Sequence, residues 1–198
     1  MPSPIGHAMA GIAAAWTADL VPGQRAWRAA PESASWFLRA GNGVTLVCAG
    51  LGAAADLDLL FGGHRTVTHS LAAVVFVWVF STALAANAGR PIVRVGLMCT
   101  AAYATHLLLD WMGVDRFPPL GIQLLWPWNH EWYISGADVF RQTARIHMLT
   151  APMMLQNLKA IAQELAILGP ILVALWLVRV KALAGLSSQL TRGNHTSE

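Results

Sequence analysis

The residues of this chain best suited to chemistry lie in one short stretch, Asp56 to Ser70, which reads DLDLLFGGHRTVTHS. It holds two carboxylates, two imidazoles and one guanidinium, although only 12% of the chain is charged, and apolar segments flank it on both sides. Ionisable groups are costly at membrane depth, so they occur there mainly to pair, to bind an ion or to line a path. The stretch is therefore the first candidate for a functional site.

A second pair of ionisable residues, His106 and Asp110, lies further along the chain in the segment ATHLLLDW. On a helix, residues four apart lie on the same face, about one turn from each other. Their side chains can therefore bind one ion, or each other. The spacing predicts that one helix contributes an imidazole and a carboxylate to a shared site.

The residues of the first stretch need local bends to reach one centre. Asp56 and Asp58 are two residues apart, which on a regular helix directs them to opposite sides. We expect the helix to unwind before the Gly pair at 62–63, so that both carboxylates face the site. His64 and His69 can reach the same ion if the chain turns between them.

Composition indicates that membrane helices position these residues. The chain has 198 residues, of which 56% are hydrophobic and nine are Trp, and its mean hydropathy is +0.50. It is too apolar for an ordinary soluble domain. We predict an all-α integral membrane bundle of about five transmembrane or membrane-embedded helices, since a hydrocarbon core takes roughly 20 apolar residues to cross. The predicted helices cover residues 4–20, 44–61, 66–88, 92–112 and 160–180, with Thr66 or Thr68 as the N-cap of the third.

A long loop, about 113–158, separates the last two predicted helices. It is rich in Trp, and aromatic residues of this kind form belts at the level of the lipid headgroups. The stretch from Ala137 to Leu158 has helical periodicity, so we predict an interfacial helix there. The loop is either a wall or lid of a substrate site, or an interfacial anchor. We expect residues 1–185 to form one membrane-embedded domain and residues 186–198 a polar, disordered tail.

An up-and-down arrangement of the helices brings the polar residues to one side of the membrane. In such a topology, one end of every predicted helix lies on that side of the membrane. Each of the polar residues is at that end of its helix. In chain order these residues are His7, Asp56 and Asp58, His64 and His69, and His106 and Asp110.

The distribution of Lys and Arg places this cluster on the extracytoplasmic side, because an excess of positive charge marks the cytoplasmic side. Eight basic residues fall on the opposite side: Arg25, Arg28, Arg39, Arg90, Arg94, Arg179, Lys181 and Arg192. Five fall on the side of the cluster: Arg65, Arg116, Arg141, Arg145 and Lys159.

The clustered His and Asp residues form a mixed nitrogen and oxygen ligand set. Such a set suits zinc, manganese or iron better than calcium, which prefers oxygen alone. Seven ligands are too many for one zinc ion, so we predict two ions bridged by a carboxylate, with zinc the first candidate. The predicted ligands are His7, Asp56, Asp58, His64, His69, His106 and Asp110.

Three further roles follow from this interpretation. One of the acidic pair, with Asp58 as our candidate, orients a water molecule as general base. Arg65 supplies a fixed cation for an anionic group of the substrate, or it pairs with Asp56 or Asp58. Trp126 and Trp128 bind the apolar part of the substrate.

The motifs and their order resemble a known family. They are a Gly-His pair near the start, DLD, HRTVTHSL, ATHLLLDW and LGIQLLWPW, within roughly residues 5–128. Together they resemble the LexA-regulated, inner-membrane, metal-dependent hydrolase family of the YdjM type. The resemblance implies a multi-pass bacterial inner-membrane protein whose hydrolase site comprises the predicted ligands and Arg65, and it implies no substrate. A weaker likeness to the soluble, all-helical zinc phospholipase C and single-strand nuclease group is an analogy only.

Three functions remain open. The first is a hydrolase acting on a phosphoester-like bond of a lipid-linked or amphiphilic substrate in the bilayer. The second is a proton or divalent-cation transporter, which needs polar residues along a path through the bilayer. The third is a scaffold whose metal site is closed and only joins the helices. The other halves of the first four helices are almost wholly apolar, which favours the hydrolase. Nucleic-acid binding is not expected, because the basic residues are scattered singly. The oligomeric state is left open.

Overall fold

The protein is all-helical in the computed structural model, which describes residues 1–20, 43–61, 64–145 and 147–195. The described residues contain five α-helices: α1 (Pro4–Asp19), α2 (Gly43–Ala54), α3 (Leu71–Asn87), α4 (Ile92–Met112) and α5 (Ala151–His195). Two 3₁₀ helices, Ala55–Leu60 and Val67–His69, lie between α2 and α3. Arg25, Arg28 and Arg39, which entered the prediction of orientation, lie outside the described residues, as does the Gly pair at 62–63.

Three segments are long and apolar enough to cross a membrane: Gly43–Leu60, Ile92–Met112 and Ala151–Arg179. Helix α3 is a shorter apolar helix. The predicted membrane helical bundle is confirmed. Half of the α4 span is buried, against 11% of the α5 span, because α4 packs against α1, α2 and α3. His106 and Asp110 of α4 are accordingly fully buried in the bundle.

Small residues let α1 and α2 cross at backbone contact. A Cβ atom added to Gly11 would lie 2.6 Å from the carbonyl oxygen of Cys48, and one added to Gly52 would collide with the carbonyl oxygen of His7. Close approach through glycine is the usual way for membrane helices to associate, since the lipid supplies little driving force. The crossing places His7 directly beside α2.

The connection between α2 and α3 is where the sequence predicts unwinding. Helix α2 gives way to the 3₁₀ helix Ala55–Leu60, which carries both acidic residues. Helix α3 begins later than predicted, at Leu71, and its N-cap is Ser70, whose Oγ accepts the N–H of Ala73 at 3.2 Å. The predicted cap by Thr66 or Thr68 is wrong, because the Thr68 hydroxyl donates to a carboxylate of the cluster instead.

The predicted interfacial helix over Ala137 to Leu158 is also wrong for most of its length. Residues 137–145 form no helix, and residues 147–150 form a turn. We call residues 137–145 the extended segment, and its backbone groups bond to amide side chains of α5. Gln163 accepts the N–H of Arg141 at 3.0 Å, and Asn157 accepts the N–H of Ala144 at 2.7 Å. These bonds satisfy the backbone without a helix. Helix α5 then continues to His195, so residues 186–195 are helical where we predicted a disordered tail.

A fully buried carboxylate joins α5 to the start of α1. Glu164 is 0% exposed, and its Oε1 accepts the backbone N–H of Ser3 at 2.7 Å, while the Ser3 hydroxyl donates to Oε2. Ser3 is also the N-cap of α1, since its Oγ accepts the N–H of Gly6 at 3.1 Å. A carboxylate at a helix N-terminus satisfies free N–H groups and complements the helix dipole.

Candidate metal centre

His106 presents a free Nε2 lone pair to the interior of the bundle. Its Nδ1 lies 2.8 Å from the carbonyl oxygen of Gly52 in α2. A carbonyl can only accept a hydrogen bond, so Nδ1 carries the ring proton and Nε2 does not. A backbone carbonyl that fixes the tautomer of an imidazole in this way is common behind metal ligands.

His69 is oriented in the same manner by a relay through Thr68. The Thr68 hydroxyl donates to Asp58 Oδ2 at 2.6 Å, so its oxygen accepts from His69 Nδ1 at 2.9 Å. Asp58 Oδ2 also lies 3.2 Å from His69 Nδ1. The Tyr103 hydroxyl holds this turn by donating to the carbonyl oxygen of Thr68 at 2.6 Å. His69 therefore also has its proton on Nδ1, and its Nε2 is free.

The two free nitrogens face each other, 3.1 Å apart. When both rings are neutral, neither nitrogen can donate to the other, and Asp110 Oδ2 lies 3.3 Å from both. Asp56 Oδ1 lies 3.8 Å from His69 Nε2 and 3.7 Å from His106 Nε2. Ligand atoms about 2.0–2.2 Å from a tetrahedral zinc ion are separated by roughly 3.3–3.5 Å. Four donor atoms converging within 4.8 Å of one another fit a metal ion.

In the absence of a metal ion, a proton can satisfy these facing lone pairs. Burial by itself lowers the pKa of His69, but its contacts with Asp110, Asp56 and Asp58 outweigh burial and raise that pKa to about 10. Three carboxylates around one imidazole thus create a strong demand for positive charge. A divalent cation meets that demand better than a single proton.

His7 adds a third imidazole on the other side of Asp110. Its ring stacks on that of His106 with the centroids 3.7 Å apart, and its Nε2 lies 3.3 Å from Asp110 Oδ1 without hydrogen-bond geometry. Both ring nitrogens of His7 and both oxygens of Asp110 are buried and lack a hydrogen-bond partner among the described residues. Such orphaned atoms are rare in proteins, and a cation would satisfy them. Asp110 Oδ2 lies near His69 and His106, and its Oδ1 lies near His7. A carboxylate that bridges two metal ions has this arrangement.

Asp58 and His64 form a second group with His69, again with donor atoms within 4.8 Å of one another. The oxygens of Asp58, however, already accept from His64 Nδ1 at 2.7 Å, from the Arg65 N–H at 3.1 Å and from Thr68. This arrangement favours Asp58 as the group that orients both histidines. The turn that brings the two rings together, with centroids 5.1 Å apart, uses a positive φ of 69° at Arg65.

Arg145 is a member of the cluster that the sequence did not reveal. Its guanidinium contacts His64 Nε2 and lies 3.4 Å from Asp56 Oδ1. It therefore places positive charge between an imidazole and a carboxylate at the edge of the centre. Arg145 belongs to the extended segment before α5, 81 residues after His64. No local spacing could have indicated this contact.

The Arg65 side chain does not pair with Asp56 or Asp58, which was the alternative to its predicted role in substrate binding. It pairs with Asp115, donates to the carbonyl oxygen of Phe117 at 3.2 Å, and lies 5.5 Å from the centroid of the Trp132 ring. Only its backbone N–H reaches Asp58. The side chain lines a cavity of about 960 Å³ beside the cluster, together with His64 and Arg145.

The structure does not bring Trp126 and Trp128 to this cavity, and Trp128 is 79% exposed. The loop that carries them is fixed to the His64–Ser70 connection by its backbone. The N–H of Gln123 donates to the carbonyl oxygen of Arg65 at 3.0 Å, and the N–H of Leu71 donates to that of Leu124 at 2.9 Å. These bonds support the turn at Arg65, and Trp128 does not line the cavity.

Sequence reasoning missed the residues that orient the imidazoles. Thr68 directly precedes His69, and Tyr103 lies one turn before His106 on the same helix, so their positions offered a signal. Gly52 acts through its carbonyl oxygen and Arg145 through a distant contact, and the sequence pattern marks neither.

Comparison with known proteins agrees with the membrane architecture. A family model described as YdjM inner membrane protein matches residues 1–185, a range that contains every member of the cluster. No curated protein and no solved structure gives a match. Since the family match covers most of the sequence, this chain belongs to the YdjM inner membrane protein family.

Proposed function

We propose that this chain is a membrane-bound, metal-dependent hydrolase that cleaves a phosphoester-like bond of a lipid-linked or amphiphilic substrate. The observation that carries the proposal is the pair of facing Nε2 atoms of His69 and His106, with Asp110 and Asp56 around them. A divalent cation held there would lower the pKa of a water molecule and stabilise an anionic transition state.

The residues of the chain divide into ligands and positioning residues. His69, His106, Asp56 and Asp110 would hold the ion, and His7 supports a second ion through the other oxygen of Asp110. Asp58 would fix the orientation of His64 and His69. Zinc is our first candidate for this mixed nitrogen and oxygen donor set, and manganese and iron fit it as well.

A site open to substrate separates a hydrolase from a scaffold. A closed structural site has no room for water or substrate. Here His64 belongs to the cluster and also lines a cavity of about 960 Å³, so the cluster adjoins an open space. Asp56, whose Oδ1 lies 4.0 Å from His64 Nδ1, is itself 12% exposed. We place the site on the extracytoplasmic side of a multi-pass protein, from the Lys and Arg distribution.

The apolar character of the helices argues against cation transport. A transporter needs polar side chains along a path through the bilayer. The spans Gly43–Leu60 and Ile92–Met112 carry Asp56, Asp58, His106 and Asp110 near one end and are apolar enough overall to cross a membrane.

The test is hydrolysis of a panel of amphiphilic phosphomonoesters and phosphodiesters by the detergent-purified protein. We expect release of product that stops with a chelator and returns with zinc, manganese or iron. Asp110→Asn should abolish it, whereas Glu131→Gln, an exposed carboxylate outside the cluster, should not. Equal activity of wild type and Asp110→Asn would refute the proposed site.

A further inference from the structure

The cavity beside the cluster carries a strong excess of positive charge. Its walls come from the residues after α4, from the extended segment and from the first turns of α5. Asp115 is the one acidic side chain among its described lining residues. Five basic side chains face it: Arg65, Arg116, Arg141, Arg145 and Lys159. We call this space the basic cavity.

Part of that charge is unbalanced. Arg65 is neutralised by Asp115, and Arg145 pairs with Asp56 at 3.4 Å. No ion pair joins Arg116, Arg141 or Lys159 to an acidic side chain in the described part of the chain. These cations are exposed around one cavity, so they concentrate and bind anions, and phosphate is a preferred partner of both side chains.

An apolar groove adjoins the basic cavity along α5. Its volume is about 570 Å³, and it is lined by Met148, Ala151, Met154, Leu155, Asn157, Leu158 and Ile161. Leu155 lines both spaces. Met154 and Leu158 are 56% and 63% exposed, and α5 begins a candidate membrane span at Ala151. A hydrocarbon chain is the natural occupant of an exposed apolar groove on such a span.

We infer that the basic cavity and the apolar groove together bind one anionic amphiphile, with a phosphate-bearing headgroup in the cavity and a hydrocarbon chain in the groove. The charge selects the headgroup, and Leu155, which lines both spaces, places the apolar groove next to the basic cavity. His64 lines the basic cavity and also belongs to the group of donors with Asp58 and His69, so the cavity adjoins the cluster at His64. The inference rests on the proposed function only where it concerns hydrolysis of the bound amphiphile. Binding of the amphiphile does not require that the protein hydrolyse it.

The test is binding to the full chain in a neutral detergent, with three probes titrated separately: dioleoyl phosphatidic acid, dioleoylglycerol and inorganic phosphate. We expect phosphatidic acid to bind at least tenfold more tightly than either of the others, because only it has both the charge and the chain. Equal binding of dioleoylglycerol would overturn the role of charge. Equal binding of inorganic phosphate would overturn the role of the groove.

Variants test the two spaces separately. Arg141→Gln with Lys159→Gln should weaken phosphatidic acid binding about tenfold or more, since each removes a charge-assisted contact. Arg90→Gln, an exposed Arg beyond the end of α3, is the matched control and should change nothing. Leu155→Asn with Leu158→Asn should weaken binding of phosphatidic acid and leave that of inorganic phosphate unchanged. Unaltered binding by either double variant would refute the corresponding subsite.

Failure of this inference is distinguishable from failure of the proposed function. Asp110→Asn should retain binding of phosphatidic acid even where it abolishes hydrolysis. Binding without hydrolysis of any phosphoester would leave the inference standing and remove the proposed function. Hydrolysis together with unchanged binding by the Arg141 and Lys159 double variant would remove the inference and leave the proposed function standing.

Discussion

The Nε2 atoms of His69 and His106 face each other at 3.1 Å, although the Nδ1 atom of each ring is already engaged as a donor. Two lone pairs at this distance need a cation between them. The carboxylates of Asp110 and Asp56 increase that need and supply the oxygen ligands that a divalent metal would use.

Replacing Thr68 by Val should weaken metal binding about 10- to 100-fold, the usual effect of removing a group that orients a ligand. Val has nearly the same shape but cannot relay the His69 Nδ1 proton to Asp58. Metal affinity is measured by competition with a chromophoric chelator. Thr68→Ser keeps the hydroxyl and should restore affinity, and a Val variant with wild-type affinity would contradict the relay.

Gly52→Ala should lower both stability and metal affinity. A Cβ atom at this position collides with the carbonyl oxygen of His7, and the Gly52 carbonyl holds His106 at 2.8 Å. Gly50→Ala is the matched control on the same helix, because a Cβ there meets nothing within 4 Å. Thermal unfolding and chelator competition compare the two variants. If Gly52→Ala behaves like Gly50→Ala, the close crossing of α1 and α2 is wrong.

Glu164→Ala should destabilise the fold by about 2 kcal/mol, because it leaves the buried N–H and hydroxyl of Ser3 without their acceptor. We expect the loss as a lowered thermal unfolding midpoint in detergent. Glu131→Ala, at an exposed loop position, provides the comparison and should have little effect. Equal midpoints for the two variants would mean that the contact between α5 and α1 contributes nothing.

Metal binding should release protons, and affinity should rise with pH. The pKa of His69 in the metal-free fold is raised from 6.5 to about 10, so at neutral pH an ion must displace its proton. The same shift stabilises the metal-free fold: this contribution is complete below about pH 6.5 and is lost as pH rises through 10.

Calorimetry of metal binding in buffers with different ionisation enthalpies counts the released protons. We expect about one proton from His69 at neutral pH, and none from this position in His69→Ala. Binding heats that do not depend on the buffer would rule out a protonated His69.

The sequence predicted the ends of helices that helix-breaking residues mark, and it predicted the contacts that follow from the helix topology. Helices α1 and α4 lie almost where we predicted them, since Pro, Gly and Asp punctuate their ends. The convergence of His7, His69, His106 and Asp110 follows from up-and-down topology, because each lies near the same end of the bundle.

Other features of the fold and of the site depend on contacts between residues far apart in the sequence, which no local pattern encodes. Arg145 reaches His64 across 81 residues, and Glu164 reaches Ser3 across 161. The extended segment before α5 looked helical by periodicity, but side chains of α5 satisfy its backbone. Hydropathy and spacing describe one segment at a time, so they carry no information on such pairings.

The most direct test of the metal centre is the metal content of the detergent-purified protein by mass spectrometry, beside a His69→Ala and Asp110→Ala double variant. We expect at least one equivalent of zinc, manganese or iron in the wild type, and two if Asp110 bridges a second ion at His7. The double variant should lose the metal while circular dichroism shows its helices intact. Wild-type protein that holds no metal after reconstitution with each of these ions would contradict the metal centre and the hydrolase built on it.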